Sequence, residues 1–230
     1  YHGVPGGPQR SEARLRAVNA LHELGEKAQA AEEVHAIQAD ASVDDDVRRD
    51  AYLLEAELQQ RDARNDAEVG ILTRGLAAYP DDGALRYARA LAWGRGDDIP
   101  RAEADLRKLR VAEPENVAAR NALGYTRADR TGRYQEALEL IDRARVAEPG
   151  NAAIIDSYGW VLFRLGRNAE ALDQLRRAYT LQKDPDIVSH LGQVLWVMGR
   201  KDEARRYFEE ARKIDPDSRS LQRALKEVGA

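Results

Sequence analysis

Catalytic chemistry in this 230-residue sequence would have to rest on its few histidines and serines. His190 could form a nucleophile–base pair with Ser157 or Ser189, because a serine hydroxyl attacks only when a nearby imidazole takes its proton. No catalytic constellation emerges around such a pair, and a polar residue at the rim of a binding groove is the favoured interpretation of His190. We therefore expect a protein that is not an enzyme.

Metal and cofactor sites are equally unsupported by the sequence. None of His2, His22, His35 and His190 has a second histidine or a cysteine at the spacing of metal ligands. Cysteine is absent, which excludes disulfides, iron–sulfur clusters and thiolate metal sites. The sequence contains no glycine pattern of the Walker or Rossmann type, and we expect no cofactor.

Charge and hydropathy exclude two further classes of function. The sequence has 36 lysines and arginines against 40 aspartates and glutamates, and its net charge is −4. Charges of both signs are interspersed, so no binding site for nucleic acid or for an anionic membrane is expected. The aromatic run DSYGWVLFRLG, residues 156–166, is about half the ~20 residues that a membrane-spanning helix needs. This run is therefore either a core helix or a binding surface.

Four kinds of residue recur along the chain with a spacing near 34 residues. Prolines fall at Pro80, Pro114 and Pro149, glycines within apolar segments at Gly124, Gly159 and Gly192, loop glycines at Gly132, Gly166 and Gly199, and paired alanines at Ala137 and Ala144, Ala171 and Ala178, and Ala204 and Ala211. Four markers that share one period predict an array of structural repeats.

The residues of one period predict two short antiparallel helices. In residues 152–184, Tyr158 and Leu162 fall on one helical face and are predicted to be core residues. The small residues Gly159 and Ala171 allow the two helices to approach closely. A single hairpin cannot bury its apolar face alone, so neighbouring hairpins must stack.

These residues resemble the tetratricopeptide repeat family. Its motif has a small residue in the first helix, a loop glycine, two alanines in the second helix and a closing proline. The sequence meets this motif well from Val117 to Ser218. The resemblance implies an all-α fold, a right-handed superhelical solenoid of antiparallel helix pairs with a C-terminal capping helix. The predicted repeats span residues 11–44, 49–82, 83–116, 117–151, 152–184 and 185–218.

The first two repeats, residues 11–82, are degenerate. Glu68 and Gly75 occupy positions where alanine is expected, and the support for these repeats is mainly amphipathic periodicity, as at Val34 and Ile37.

Residues 83–218 hold four regular repeats, and residues 219–230 carry one apolar stripe that predicts a capping helix over the last repeat. The Gly/Pro-rich residues 1–10 are predicted to be a connector from a truncated upstream repeat. We expect the native chain to continue before Tyr1, with an undetermined number of further repeats.

The first helix of each tetratricopeptide repeat lines the concave groove, as the resemblance implies. Groove positions lie three residues before the small residue, one after it, and four to five after it. Large aromatic side chains on a partly exposed concave face are typical anchors for peptides. The candidate binding residues are Tyr87, Asn121, Tyr125, Asp156, Trp160, Phe163, Arg164, Ser189, His190, Gln193 and Trp196.

The aromatic residues have an alternative role, which is to pack against the helix of a neighbouring repeat and set the curvature. The two roles are evenly balanced for Phe163 and Trp196, whereas binding is favoured for Trp160 and Tyr125. Lysine and arginine are absent three before and one after the small residue, which disfavours a clamp for a partner's carboxylate. An extended segment or a helix of a partner protein fits this groove better.

A closer resemblance covers Leu85 to Val228 and is carried by ALGYTRADR, DSYGWVLFRLG and HLGQVLW. These segments are similar to the C-terminal repeats of Gram-negative TPR lipoproteins that are anchored to the outer membrane and act as adaptors. The resemblance implies a periplasmic location, with an anchor outside this chain, and binding of a carboxyl-terminal processing protease and its cell-wall hydrolase substrates. A cytoplasmic location is the alternative.

The sequence thus predicts a non-enzymatic adaptor that raises the effective concentration of a protease and its substrates by binding both. The alternative is a scaffold for assembly of an envelope complex or for homo-oligomerisation. Neither function involves nucleic acid or a membrane span within this fragment.

Overall fold

The structure is a computed structural model that describes residues 8–230, and every regular element in that range is an α-helix. The helices are α1 (Pro8–Glu23), α2 (Lys27–Ala39), α3 (Asp45–Arg61), α4 (Asn65–Ala78), α5 (Gly83–Arg95), α6 (Ile99–Ala112), α7 (Val117–Arg130), α8 (Tyr134–Ala147), α9 (Ala152–Arg164), α10 (Asn168–Leu181), α11 (Pro185–Val197), α12 (Lys201–Ile214) and α13 (Arg219–Val228). No helix between residues 8 and 230 combines the length and the apolar character needed to cross a membrane.

The first twelve helices form six pairs, and α13 follows them without a second helix. Two helices joined by a three-residue turn must run antiparallel, and each odd-numbered helix packs against the even-numbered helix that follows it. The helices group into two compact units, one ending at Glu113 and the other beginning at Pro114.

Helix α1 starts earlier than the sequence pattern indicates. Pro8–Arg10, predicted to belong to the connector, are helical, while the rest of that connector lies outside the described residues. A proline in the first turn is compatible with a helix because the backbone N–H that it lacks would have no partner there.

The first unit buries the apolar stripes of its degenerate repeats. Val34 and Ile37 lie in one core cluster, and Leu72 lies in another with Leu85. Glu68, which stands where alanine is expected, is buried and pairs with Arg95. A buried carboxylate needs such a cationic partner, because an unpaired buried charge would be strongly destabilising.

In the second unit, first and second helices approach closely at glycine. A Cβ atom on Gly159 would lie 2.8 Å from Leu175 Cγ and 3.3 Å from the carbonyl oxygen of Ala171. Leu162 and Leu175 are buried beside this contact, and Tyr158 is half-buried, with the Arg145 guanidinium 4.4 Å from its ring centroid. The predicted close approach at Gly159 is confirmed.

Most turns between paired helices use one backbone conformation. The middle residue has a positive φ, and the residue after it donates a hydrogen bond to a carbonyl five residues earlier, as in the Schellman motif. Gly25, Gly166 and Gly199 occupy the middle position, whereas Ala63 and Asp97 hold it with φ values of 55° and 64°. The residues that follow are Glu26, Arg64, Asp98, Arg167 and Arg200, bonded to Leu21, Gln59, Trp93, Leu162 and Leu195. The turn at Gly132 differs, because the Arg133 N–H donates to the Thr131 hydroxyl.

First helices from α5 onward share a capped N-terminus. A side-chain oxygen accepts a hydrogen bond from a backbone N–H of the first turn, which satisfies a donor that the helix itself cannot pair. The capping residues are Asp82, Asn116, Asn151, Asp184 and Ser218, at intervals of 34, 35, 33 and 34 residues. These caps start each first helix at the same register.

We expect Ala63→Gly to stabilise the first unit. Alanine in the left-handed region is strained by about 1–2 kcal/mol, and glycine removes that strain at some cost in unfolded-state entropy. The free energy of unfolding should rise by roughly 1 kcal/mol, measured by urea denaturation followed by circular dichroism.

Gly166→Ala is the matched control, because Gly166 has a φ of 79° and no heavy atom within 4 Å of an added Cβ. It should lower the free energy of unfolding by about the same amount. A neutral or destabilising Ala63→Gly would contradict the assignment of strain.

Candidate functional site

Ten of the eleven predicted binding residues lie on three first helices of the second unit. Asn121 and Tyr125 are on α7. Helices α9 and α11 carry the other eight, Asp156, Trp160, Phe163, Arg164, Ser189, His190, Gln193 and Trp196. Tyr87, the remaining residue, is half-buried on α5 in the first unit. The candidate site is therefore confined to the second unit.

A chain of hydrogen bonds joins three first helices. His190 Nδ1 lies 2.8 Å from Asp156 Oδ1, and His190 Nε2 lies 3.2 Å from the Tyr125 hydroxyl. The Tyr125 ring is tilted against the imidazole, with the centroids 5.9 Å apart. Because α9 lies between α7 and α11, the contact between Tyr125 and His190 spans one intervening helix. We call the surface formed by Tyr125, Asp129, Asp156, Trp160 and His190 the inner face.

Trp160 fills the inner face instead of protruding from it. Its exposed fraction is 2%, and its ring stacks on His190 with the centroids 4.2 Å apart. Its indole N–H donates to Asp129 Oδ1 at 3.1 Å, and the Phe163 ring packs against it with the centroids 5.1 Å apart. The expectation that Trp160 is an exposed anchor is wrong, because Asp129 of α7, Phe163 of α9 and His190 of α11 contact its side chain.

Several other predicted residues are also held by contacts within the unit. Ser189 is fully buried, and its hydroxyl donates to the Pro185 carbonyl at 2.6 Å. Gln193 is buried and donates to Glu227 of α13. Asp156 and His190 are buried as well, so these four side chains and Trp160 do not offer an open surface.

Two predicted residues point away from the inner face. Trp196 packs on Phe208 of its own helix pair at 6.3 Å between ring centroids, and the Lys201 ammonium lies 5.0 Å from its centroid. The Arg164 guanidinium donates to the Tyr134 hydroxyl of α8 at 3.1 Å. Trp196 therefore packs within its own helix pair, and not against the helix of a neighbouring repeat as the alternative role required.

The nucleophile–base pairs considered from the sequence are not assembled. Both ring nitrogens of His190 are engaged, by Asp156 and by Tyr125. The Ser157 hydroxyl donates to the Ala153 carbonyl at 3.0 Å, within its own helix. The serines are thus bonded to backbone, as serines within helices commonly are.

Helix α13 completes the site in a way that the sequence analysis missed. The Arg223 guanidinium of α13 reaches Asp129 Oδ2 on α7 at 2.8 Å, across the first helices between them. The regular N-caps could have predicted this contact. Arg223 follows its N-cap Ser218 at the same distance at which Asn121, Asp156 and Ser189 follow their own N-caps. The amide oxygen of Asn121 is buried and accepts no hydrogen bond from residues 8–230.

The inner face is electrostatically acidic. Burial opposes the charged imidazolium, but the charge and hydrogen bond of Asp156 outweigh it and raise the pKa of His190 above its usual value, with help from Asp186 and Asp129. Burial, and then the carboxylates of Asp129 and Asp156, raise the pKa of the Tyr125 phenol well above its usual range. The phenol therefore stays protonated and bonds the imidazole in either charge state of His190.

We expect Trp160→Ala to destabilise the second unit by about 3–5 kcal/mol, the usual cost of removing a buried tryptophan. Thermal and urea denaturation followed by circular dichroism would measure it. Val197→Ala on α11, where the valine is 54% exposed, is the control and should change the free energy of unfolding by less than about 0.5 kcal/mol. Similar small effects of both substitutions would show that Trp160 does not stabilise the fold.

A second expectation concerns pH. Because the folded-state pKa of His190 is raised above 6.5, the stability from its ionisation is fully present below that pH. It is lost as the pH rises through the folded-state pKa. The difference in unfolding free energy between the native chain and His190→Gln should therefore shrink from about pH 5 to about pH 9.

Asp156→Asn provides the control, since it removes the carboxylate that raises the pKa of His190. In the Asp156→Asn background, the change in unfolding free energy caused by His190→Gln should depend less on pH. A difference in unfolding free energy between the native chain and His190→Gln that grows as the pH rises would contradict a raised pKa of His190.

Comparison with known proteins identifies the repeat family that this chain resembles. A tetratricopeptide repeat family model matches residues 98–224. The TPR repeat-containing protein PA4667 of Pseudomonas aeruginosa is 36% identical over 193 residues, which are 84% of this chain and 32% of that protein. The chain thus spans about a third of the length of this curated relative.

Two solved structures illustrate the likeness. TTC0263, a TPR protein of Thermus thermophilus, has a TM-score of 0.66 at 23% identity, and the match covers 78% of this chain and 98% of that one. PilW, a widely conserved type IV pilus biogenesis factor, has a TM-score of 0.66 at 18% identity, and the match covers 95% of this chain and 100% of that one. At these identities the likeness shows the fold alone, and it confirms the predicted all-α solenoid of helix pairs. Because the family model matches more than half of its residues, this chain belongs to the tetratricopeptide repeat family.

Proposed function

We propose that this chain is the interaction part of an adaptor, and that it binds partner proteins through the inner face of the second unit. Tetratricopeptide repeats are generally non-catalytic modules that bind proteins, which supports the general role. The site on the inner face is the more specific part of the proposal.

The observation that carries this site is the polar network of Tyr125, His190 and Asp156. The helix pairs already have an apolar core between their first and second helices, with Leu162 and Leu175 at its centre. A buried polar network adds little net stability compared with apolar side chains of similar size. Its position on the face that repeat proteins use for binding favours a role in specific recognition over a role in folding.

The identity of the partners rests on the sequence resemblance of Leu85–Val228 to the adaptor lipoproteins. We infer from it a periplasmic carboxyl-terminal processing protease and the cell-wall hydrolases that it degrades. The corresponding location is the periplasmic side of the outer membrane, with the lipid anchor in a segment outside this chain. Simultaneous binding would increase the effective concentration of protease and substrate without any new chemistry in the adaptor.

Affinity capture from a Gram-negative envelope extract tests the proposal. The comparison is between the native chain and Asp129→Arg, which reverses a charge on the inner face. Asp173→Arg makes the same change at an exposed position of α10 and is the matched control. We expect the native chain and Asp173→Arg to retain a processing protease or a cell-wall hydrolase, and Asp129→Arg to lose at least about ten-fold of it, as for a charged contact worth ~1.4 kcal/mol or more.

Circular dichroism must show equal helicity for the three chains. Equal capture by all three would overturn the inner face as the binding surface. Capture of neither a protease nor a hydrolase by the native chain would overturn the proposed partners, while the general role as an interaction module would stand.

A further inference from the structure

Helix α13 buries fewer of its own residues than α11, the helix that it covers. It has 10 residues, and a helix of that length is marginal in water unless it packs against something. Leu221 and Ala224 are its two buried residues, whereas α11 beneath it buries nine of its 13. Residues 215–218 form the whole connection to α12. Undocking α13 would therefore require only this connection to turn, but it would uncover the apolar residues of α11 in the shared core cluster unless another helix took its place.

The contacts of α13 follow the pattern of a helix that binds in a groove. Its apolar residues Leu221, Ala224, Leu225 and Val228 pack towards the core cluster around α11. Its polar residues at positions 220, 223 and 227 contact Asp186, Asp129 and Gln193. Contacts spaced by three and four residues along one face are the mode by which amphipathic helices bind grooves.

Charge complementarity defines what this surface accepts. Asp129, Asp156 and Asp186 come from three different first helices. Asp156 bonds His190, whereas Asp129 and Asp186 accept hydrogen bonds from Arg223 and Ser220 of α13. Arg223 brings a guanidinium from α13 to Asp129, whose other oxygen accepts from Trp160. When α13 leaves, Asp129 loses that guanidinium, and its partly buried carboxylate favours another cationic donor.

We propose that α13 is an internal occupant of a docking site for a partner's amphipathic helix, one that carries an arginine next to its apolar stripe and displaces α13. This inference rests on the proposed function, since it names the kind of partner segment that the inner face takes. The partner helix would pack its apolar residues on α11 and place its arginine on Asp129. Binding then competes with α13, so the cap lowers the affinity for every partner by a constant factor.

The probe is a fluorescent peptide of residues 216–230, which reproduces α13 with its flanks. It is titrated into the full chain carrying Leu221→Asp, which weakens docking of the internal helix, and into the native chain. We expect the peptide to bind Leu221→Asp at least about ten-fold more tightly, because the native site is occupied. A peptide with Arg223→Glu should bind at least about ten-fold more weakly than the native peptide.

Asp129→Asn in the Leu221→Asp chain removes the carboxylate that Arg223 of the peptide contacts. This substitution should weaken binding of the native peptide but not of the Arg223→Glu peptide. If Leu221→Asp does not fold, Lys226→Pro interrupts α13 at an exposed position without changing the core. Circular dichroism verifies helicity in each case.

Three outcomes would overturn the proposal. The first is no binding to a folded chain with weakened α13. The second is equal binding of the native and Arg223→Glu peptides, which would indicate apolar association without recognition of Asp129. The third is a native chain that is dimeric in solution and monomeric with Leu221→Asp, which would make a second copy the occupant.

The peptide titration uses no natural partner, so it fails independently of the capture experiment. Peptide binding without capture would remove the proposed protease and hydrolases and leave the docking site. Capture without peptide binding would leave the adaptor and remove the helix-displacement inference.

Discussion

The close approach of paired helices at a small residue is the constraint on which the rest of the second unit depends. At Gly159 the backbone of α9 comes so near α10 that Leu175 occupies the space of a missing side chain. Gly124 and Gly192 repeat this contact with Ile141 and Phe208. With the paired helices this close, Tyr125, Trp160 and His190 lie on the opposite side of the first helices, whereas Trp196 packs on Phe208 of its own pair. Which side chains lie on the inner face is thus a consequence of how closely the first and second helices of each pair pack.

That opposite side is filled because first helices also approach one another. Tyr125 on α7 bonds His190 on α11 directly, and Trp160 lies enclosed between them. Helix α13 adds Arg223 to the same region. A surface that would be an open groove in a gently curved array is here a packed polar layer. In the mode of binding that we propose, α13 is displaced, a cost that a flat surface would not impose.

The sequence predicts local features well and the content of the inner face poorly. Period, helix pairing and the small residue Gly159 follow from spacing alone, because each depends on contacts within about 34 residues. Burial of Trp160 depends on contacts with Asp129 of α7 and His190 of α11, and no local pattern encodes how these side chains meet. The turn at Gly132 shares its period with Gly166 but not its positive φ, so a matched position does not guarantee a matched conformation. The regular N-caps, including Ser218, were a readable signal for the register of Arg223.

The hydrogen bond between Tyr125 and His190 changes how this array can tolerate the gain or loss of a repeat. Repeat proteins are usually treated as one-dimensional chains whose energies sum over adjacent neighbours, so that whole repeats can be inserted or deleted at modest cost. Here an interaction between non-adjacent helix pairs also contributes to the energy, because the bond between Tyr125 and His190 spans the pair α9–α10. Deleting that pair would remove Asp156 and Trp160 and leave His190 facing a partner at a different distance. The stability of the second unit is therefore not a sum over adjacent helix pairs, and one pair cannot be deleted without changing contacts between the pairs on either side of it.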